Sequence, residues 1–201
     1  MSETIQMTTY VSDMIALERE VVAPISKHLA DADVQASPEV KNVLTRLQKT
    51  LYQQILDLEQ HLLNLGGHPS VSLKSAIADV MGAATSAVQS VRKAKVSKML
   101  RDDHTSLSLV CVAYEMLYTT ARATHSDVTA QIALTQLQTL TPIIMDISDL
   151  IPAAVVKELL ELDPLADVNV LPDAANILTK VWEDGAKDRH KAPLVEEYSL
   201  A

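Results

Sequence analysis

The sequence predicts an all-α protein: an antiparallel four-helix bundle with a long crossover between helices two and three and a C-terminal helical extension. Three observations carry that expectation. Four long stretches repeat apolar residues at the three- and four-residue spacing of a single helix face. The 201 residues include only four glycines, and no Asn-Gly or Asp-Gly sits between alternating apolar runs, as a β-hairpin would require. The chain is 48% hydrophobic but 3% aromatic, with no Phe, so Leu, Ala, Val, Ile and seven Met must fill the interior.

The first helix is expected over residues 4–31, with Val11, Ile15, Glu18, Val22, Ile25 and Leu29 on one face. Pro24 lies inside that pattern and predicts a kink near Ala23. After a link over 31–36, Ser37-Pro38-Glu39 supplies a serine cap and a proline at the first helical position. The second helix then runs to Leu65 and stops at Gly66-Gly67, ahead of Pro69. Its seam is Val40, Leu44, Leu47, Leu51, Gln54, Leu58, His61 and Leu65.

Residues 72–92, rich in Ala and interrupted by Gly82, are expected to carry the chain back to the start of helix three. That helix spans about 96–124, with Val96, Leu100, Asp103, Leu107, Val110, Tyr114, Leu117 and Ala121 on its seam. Ser126-Asp127 caps a fourth helix reaching about Leu150. Its seam reads apolar at every step: Ala130, Ala133, Leu137, Leu140, Ile144, Ile147 and Ile151. Pro142 predicts a second kink near Thr141, and a separate short helix is expected after Pro152, to about Leu162. The bundle is thus assigned to residues 1–162 and the extension to 163–201, where Pro172 to Glu183 form an amphipathic set around Trp182.

A formal charge of −9 and a pI near 5.0 argue against nucleic-acid or anionic-membrane partners, because phosphate binding depends on clustered Lys and Arg. The basic stretch Arg92, Lys93, Lys95, Lys98 and Arg101 reads as a solvated face balanced by Asp102 and Asp103. No secretory signal pattern and no apolar run of membrane-spanning length is visible, so a cytoplasmic location is expected. The single cysteine, Cys111, lies in an apolar run and reads as a small hydrophobe.

Two antiparallel helices, a long crossover and two more antiparallel helices form a connectivity that resembles the ferritin-like superfamily, closest to its small bacterial stress-associated members. The likeness covers residues 8–160 and rests on YVSDMIALERE, LDLEQHLLNLGGHPS, VSKMLRDDHTSLSLVCVAYEMLYTT and LTPIIMDISDLIP. The resemblance implies a di-iron or di-manganese site with a Glu on each of two helices and Glu-x-x-His on each of the others. Glu18 fits one such position, because it interrupts an apolar face where an isolated carboxylate would be costly.

The other positions depart from the pattern. His61 has Leu58 three residues before it, Asp57 falls off the core face, and the fourth helix has no His. Counting equal distances back from the link places Glu18 opposite Leu51 and Gln54, and His61 about 15 Å further along. The low-order metal candidates are therefore Glu18, His61 and Asp103, and no metal is expected, with iron or manganese as the alternative. Asp103 is expected to meet Arg101, Lys98 or solvent. What remains is a polar core cluster, Glu18 with Gln54, Tyr114 and Tyr118, which either fixes helix register or ends a ligand cavity.

Phosphate loops, dinucleotide-binding glycines, zinc spacings and nucleophile elbows are missing from the sequence. The leading expectation is a non-catalytic ferritin-like bundle acting in binding or assembly, most simply as a homo-oligomer. The Pro172–Glu183 helix and the apolar Leu194–Leu200 end are candidates to dock on another subunit. One alternative is an iron-handling or oxidative-stress metalloprotein with an atypical site around Glu18, completed between subunits by His28, His61 or His68. Another is an apolar small-molecule binder with Glu18, Gln54 and Tyr114 at the polar end of its cavity.

Overall fold

The structure is a computed structural model that describes residues 3–69, 95–167 and 169–188. Its elements are α1 (Glu3–Ala30), α2 (Ala32–Gln35), α3 (Pro38–Asn64), α4 (Val96–Ala123), α5 (Asp127–Leu160) and α6 (Val170–Asp188). The chain divides into two compact units, Met1–Val155 and Val156–Ala201. The crossover expected over 72–92, the basic pair Arg92 and Lys93, and the apolar Leu194–Leu200 end all lie outside the described residues.

In the first unit, side-chain bonds set the direction of each helix. Arg19 pairs with Glu59, and Ser26 Oγ lies 3.5 Å from Tyr52 OH, so α1 and α3 run antiparallel. His28 meets Asp103 and Tyr114 meets Glu18, so α4 is also antiparallel to α1 and therefore parallel to α3. Two parallel helices joined in sequence need a connection that returns the full length of the bundle. Gln54 and His61 of α3 meet Gln136 and Thr129 of α5 in descending order, which makes α5 the antiparallel partner of α3. These four helices form the all-α bundle that the sequence predicts, with α3 and α4 parallel.

The core follows the predicted seams closely on α1, α3 and α4. Val11, Ile25, Leu44, Leu51, Leu100 and Leu107 are fully enclosed. Each contributes about 1.5–3 kcal/mol relative to leaving it in water. On α5 the buried face differs from the expected one. Thr129, Gln136, Ile143 and Ala154 are buried, while Leu137, Ile144 and Ile151 are only partly covered. In so apolar a helix many faces have the composition of a core face, and only neighbouring helices decide which one is covered.

Helix ends follow local chemistry. Asp31 accepts a 2.8 Å bond from the Asp33 amide and starts a one-turn helix inside the predicted link. Gly66, at φ +80°, closes α3: its amide reaches Leu63 O and that of Gly67 reaches Leu62 O, each at 3.0 Å. The same pair of bonds closes α4, from His125 to Arg122 O and from Ser126 to Ala121 O, with His125 at φ 53°. The break expected at Pro152 does not occur, because α5 continues through both Pro142 and Pro152. Each proline forgoes one main-chain bond, and buried Ile143, Ile147 and Ala154 hold the helix against its neighbours on either side.

In the second unit, α6 extends the predicted Pro172–Glu183 segment at both ends. Its apolar side chains stay open: Ile177, Leu178, Val181 and Trp182 are between 46% and 70% exposed.

Candidate functional site

The polar groups of the bundle interior come from all four long helices. Glu18 projects from the inner face of α1 with no solvent exposure. Tyr114 on α4, equally enclosed, donates its hydroxyl to Glu18 Oε1 at 2.7 Å. Burial pushes the Glu18 carboxyl up to about 8, with the Asp57 charge adding to the rise and the Tyr114 bond opposing it. Glu18 is therefore a neutral acid at pH 7. Its second oxygen, Oε2, finds no hydrogen-bond partner among the described residues. The Tyr114 phenol is raised as well, by burial first and then by its carboxyl neighbour.

The register corrects the level expected from the sequence. With Arg19 on Glu59 and Ser26 between Gln48 and Tyr52, Glu18 lies level with residues 56–60, beyond Leu51. Counting from the link assumes that it reverses the chain at one height, whereas α2 occupies Ala32–Gln35 within it. No hydrogen bond joins Glu18 to Gln54 among the described residues. Gln54 donates instead to Gln136 O at 3.2 Å, and its own Oε1 is unpartnered among the described residues. Tyr118 is half-buried against the core.

At the level of Glu18, α3 turns Leu58 and His61 inward, both buried. His61 Nε2 lies 2.8 Å from Thr129 Oγ1, which is itself 2.8 Å from Ser126 Oγ. Burial lowers the basicity of His61 and favours the neutral ring. Asp57 is exposed, as its place off the seam implies, yet it accepts from Gln136 Nε2 at 3.4 Å and its charge acts on Glu18. Thr129 and Gln136 are the members that the sequence reading passes over. Their signal is a polar residue one position to the side of an apolar seam.

Asp103 is likewise not where the sequence places it. In place of Arg101, Lys98 or solvent it is buried against His28, whose Nδ1 lies 3.0 Å from both carboxylate oxygens. Burial raises the Asp103 carboxyl and the bond and charge of His28 oppose that rise. Arg101 turns outward to Asp102 at 2.7 Å. His28 and Asp103 thus join the end of α1 to the start of α4. Their register places them well along the bundle from Glu18.

Among the described residues the groups that act on Glu18 are the Tyr114 phenol, through its hydrogen bond, and the Asp57 carboxylate, through its charge. Among the described residues no three His, Cys, Asp or Glu side chains are grouped to share a metal ion. The half-buried Cys111 thiol is pushed up to about 11 by burial and by Glu115, which keeps it protonated and unreactive. Among the described residues one surface concavity lies over Val112, Glu115 and Met116 and another between Ser12, Leu62 and His68, and Glu18 lines neither of these.

No family model matches the chain, and no curated protein matches it. Two solved structures are similar. A protein of Xanthomonas campestris shares 17% identity at a TM-score of 0.66, over 80% of this chain and 98% of that one. An archaeal Dps homologue from Halobacterium salinarum shares 16% identity at a TM-score of 0.59, over 84% of this chain and 86% of that one. Likeness at this identity carries the fold alone, and the chain has a ferritin-like helical bundle.

Proposed function

We propose that this protein is a non-catalytic ferritin-like bundle that acts by binding or assembly, as a cytoplasmic homo-oligomer. The observation that carries the reading is the Glu18–Tyr114 pair. Where this carboxyl enters the bundle core at mid-height, its bonded partner among the described residues is a phenol. A di-metal centre needs several anionic carboxylates to balance the metal charge. Here Leu58 stands three residues before His61 and Ala133 is buried on α5, so the donor set does not fit such a centre. The open apolar side chains of α6 support a role in contact with another surface.

One observation favours a second reading, an iron-handling or oxidative-stress metalloprotein. The register brings His61 to the level of Glu18, with the Asp57 charge close enough to act on Glu18. Elemental analysis separates the two readings. The protein is refolded with excess iron, manganese or zinc and then desalted. The assembly reading expects no stoichiometric metal. Near-stoichiometric metal that disappears in Glu18→Leu would overturn it in favour of the metalloprotein.

A further inference from the structure

The second hairpin of the bundle carries more apolar and neutral surface than its own core uses. From Val128 to Met145, α5 has no charged residue, and from Thr105 to Ala121, α4 has one, Glu115. The outward positions on α4 include Leu109, Val112 and Met116, which are 57%, 51% and 58% exposed. On α5 the outward face offers Thr135, Gln138 and Met145, all exposed. The most apolar window of α5 has a mean hydropathy of 1.5, yet only 22% of it is buried within the chain.

We propose that this outward face of α4 and α5 is a self-association surface, covered by the same face of a second copy. The inference rests on the assembly reading above and names its surface. Three physical arguments select this occupant. Copies carrying a formal charge of −9 repel one another, and a face almost free of charge lets them approach without placing like charges in contact. A two-fold interface must be complementary to itself, a condition that neutral Leu, Val, Met, Thr and Gln meet and a face of one sign does not. The area also suffices. Two helices about 25 Å long and about 10 Å wide present roughly 500 Å² per copy, so the pair reaches about 1,000 Å², the floor for a biological interface. The outward Thr and Gln side chains suit such a contact better than a lipid interior, which offers their hydrogen-bonding groups nothing.

Sedimentation equilibrium of the full chain tests the proposal, with Val112→Glu on α4, Met145→Lys on α5 and Leu56→Glu on the outer side of α3. Circular dichroism melting confirms that each variant folds, as expected for positions this exposed. The wild type and Leu56→Glu are expected to be dimeric. Val112→Glu and Met145→Lys each weaken the dimer by at least about 100-fold, because a charge buried at a two-fold interface is buried twice. A dimer that survives both substitutions overturns this surface while leaving the assembly reading intact, and loss of that dimer in Trp182→Ser would move the contact to α6. A wild type that stays monomeric overturns both the surface and the assembly reading. Should that monomer pellet with phosphatidylcholine vesicles, the face would be a lipid contact instead.

Discussion

The two hairpins of the bundle are built to different specifications. In the first, α1 and α3 turn Val11, Ile25, Leu44 and Leu51 inward and Asp13, Glu20, Glu39, Lys41 and Lys49 to water, and among the described residues leave only Leu56 and Leu63 as large apolar side chains outside. In the second, α4 and α5 bury an equally continuous seam but place Leu109, Val112, Met116 and Met145 on the outside too. A helix needs one apolar stripe to belong to a bundle. The second stripe is surplus to folding, and it separates residues that hold the fold from residues available to a partner. The helix ends differ as well, since α3 closes on Gly66 and α4 on His125.

The sharpest way to break this comparison is to truncate one leucine from each class. Leu51→Ala, in the first hairpin's core, is expected to cost about 2–5 kcal/mol of unfolding free energy in urea titration. Leu109→Ala, on the second hairpin's outer face, should change that of the dilute, dissociated chain by under about 0.5 kcal/mol. Similar costs for both would show that the outer stripe belongs to the fold. Next in size is the contact that ties α1 to α4. His28→Ala leaves a buried Asp103 without its partner and is expected to cost about 3 kcal/mol, with Asp103→Asn partly restoring stability in the double variant.

The Glu18–Tyr114 pair gives a pH signature. Between 4.5 and about 8 the unfolded chain releases the Glu18 proton and the folded chain keeps it. Stability contributed by this group is therefore greatest at acid pH and is lost as pH rises through that window, by up to about 1.4 kcal/mol per pH unit. Subtracting the profile of Glu18→Leu isolates the effect. A difference that is flat with pH would mean that Glu18 is ionised in the fold. The smallest effect concerns the helix ends: His125→Gly removes the left-handed side chain and is expected to stabilise the protein by about 1 kcal/mol. No gain in melting temperature would count against strain at that residue.

Much of this molecule is decided by local rules. Helical periodicity, the scarcity of glycine and the caps at Pro38 and Gly66 determine the four long helices and the residues lining three of their seams. They also identify Glu18, because a carboxyl on an apolar stripe is visible without coordinates. Three features were decided only by the tertiary structure. The height of α3 against α1 sets residues 56–60, beyond Leu51, level with Glu18. Neighbouring helices choose the buried side of α5, where nearly every side is apolar enough to serve. The pairing of Asp103 with His28 joins residues 75 positions apart, beyond any sequence window. Periodicity fixes which way a side chain points around its own helix. Its level along the bundle, and hence its partner, depends on packing between helices, which no single helix encodes.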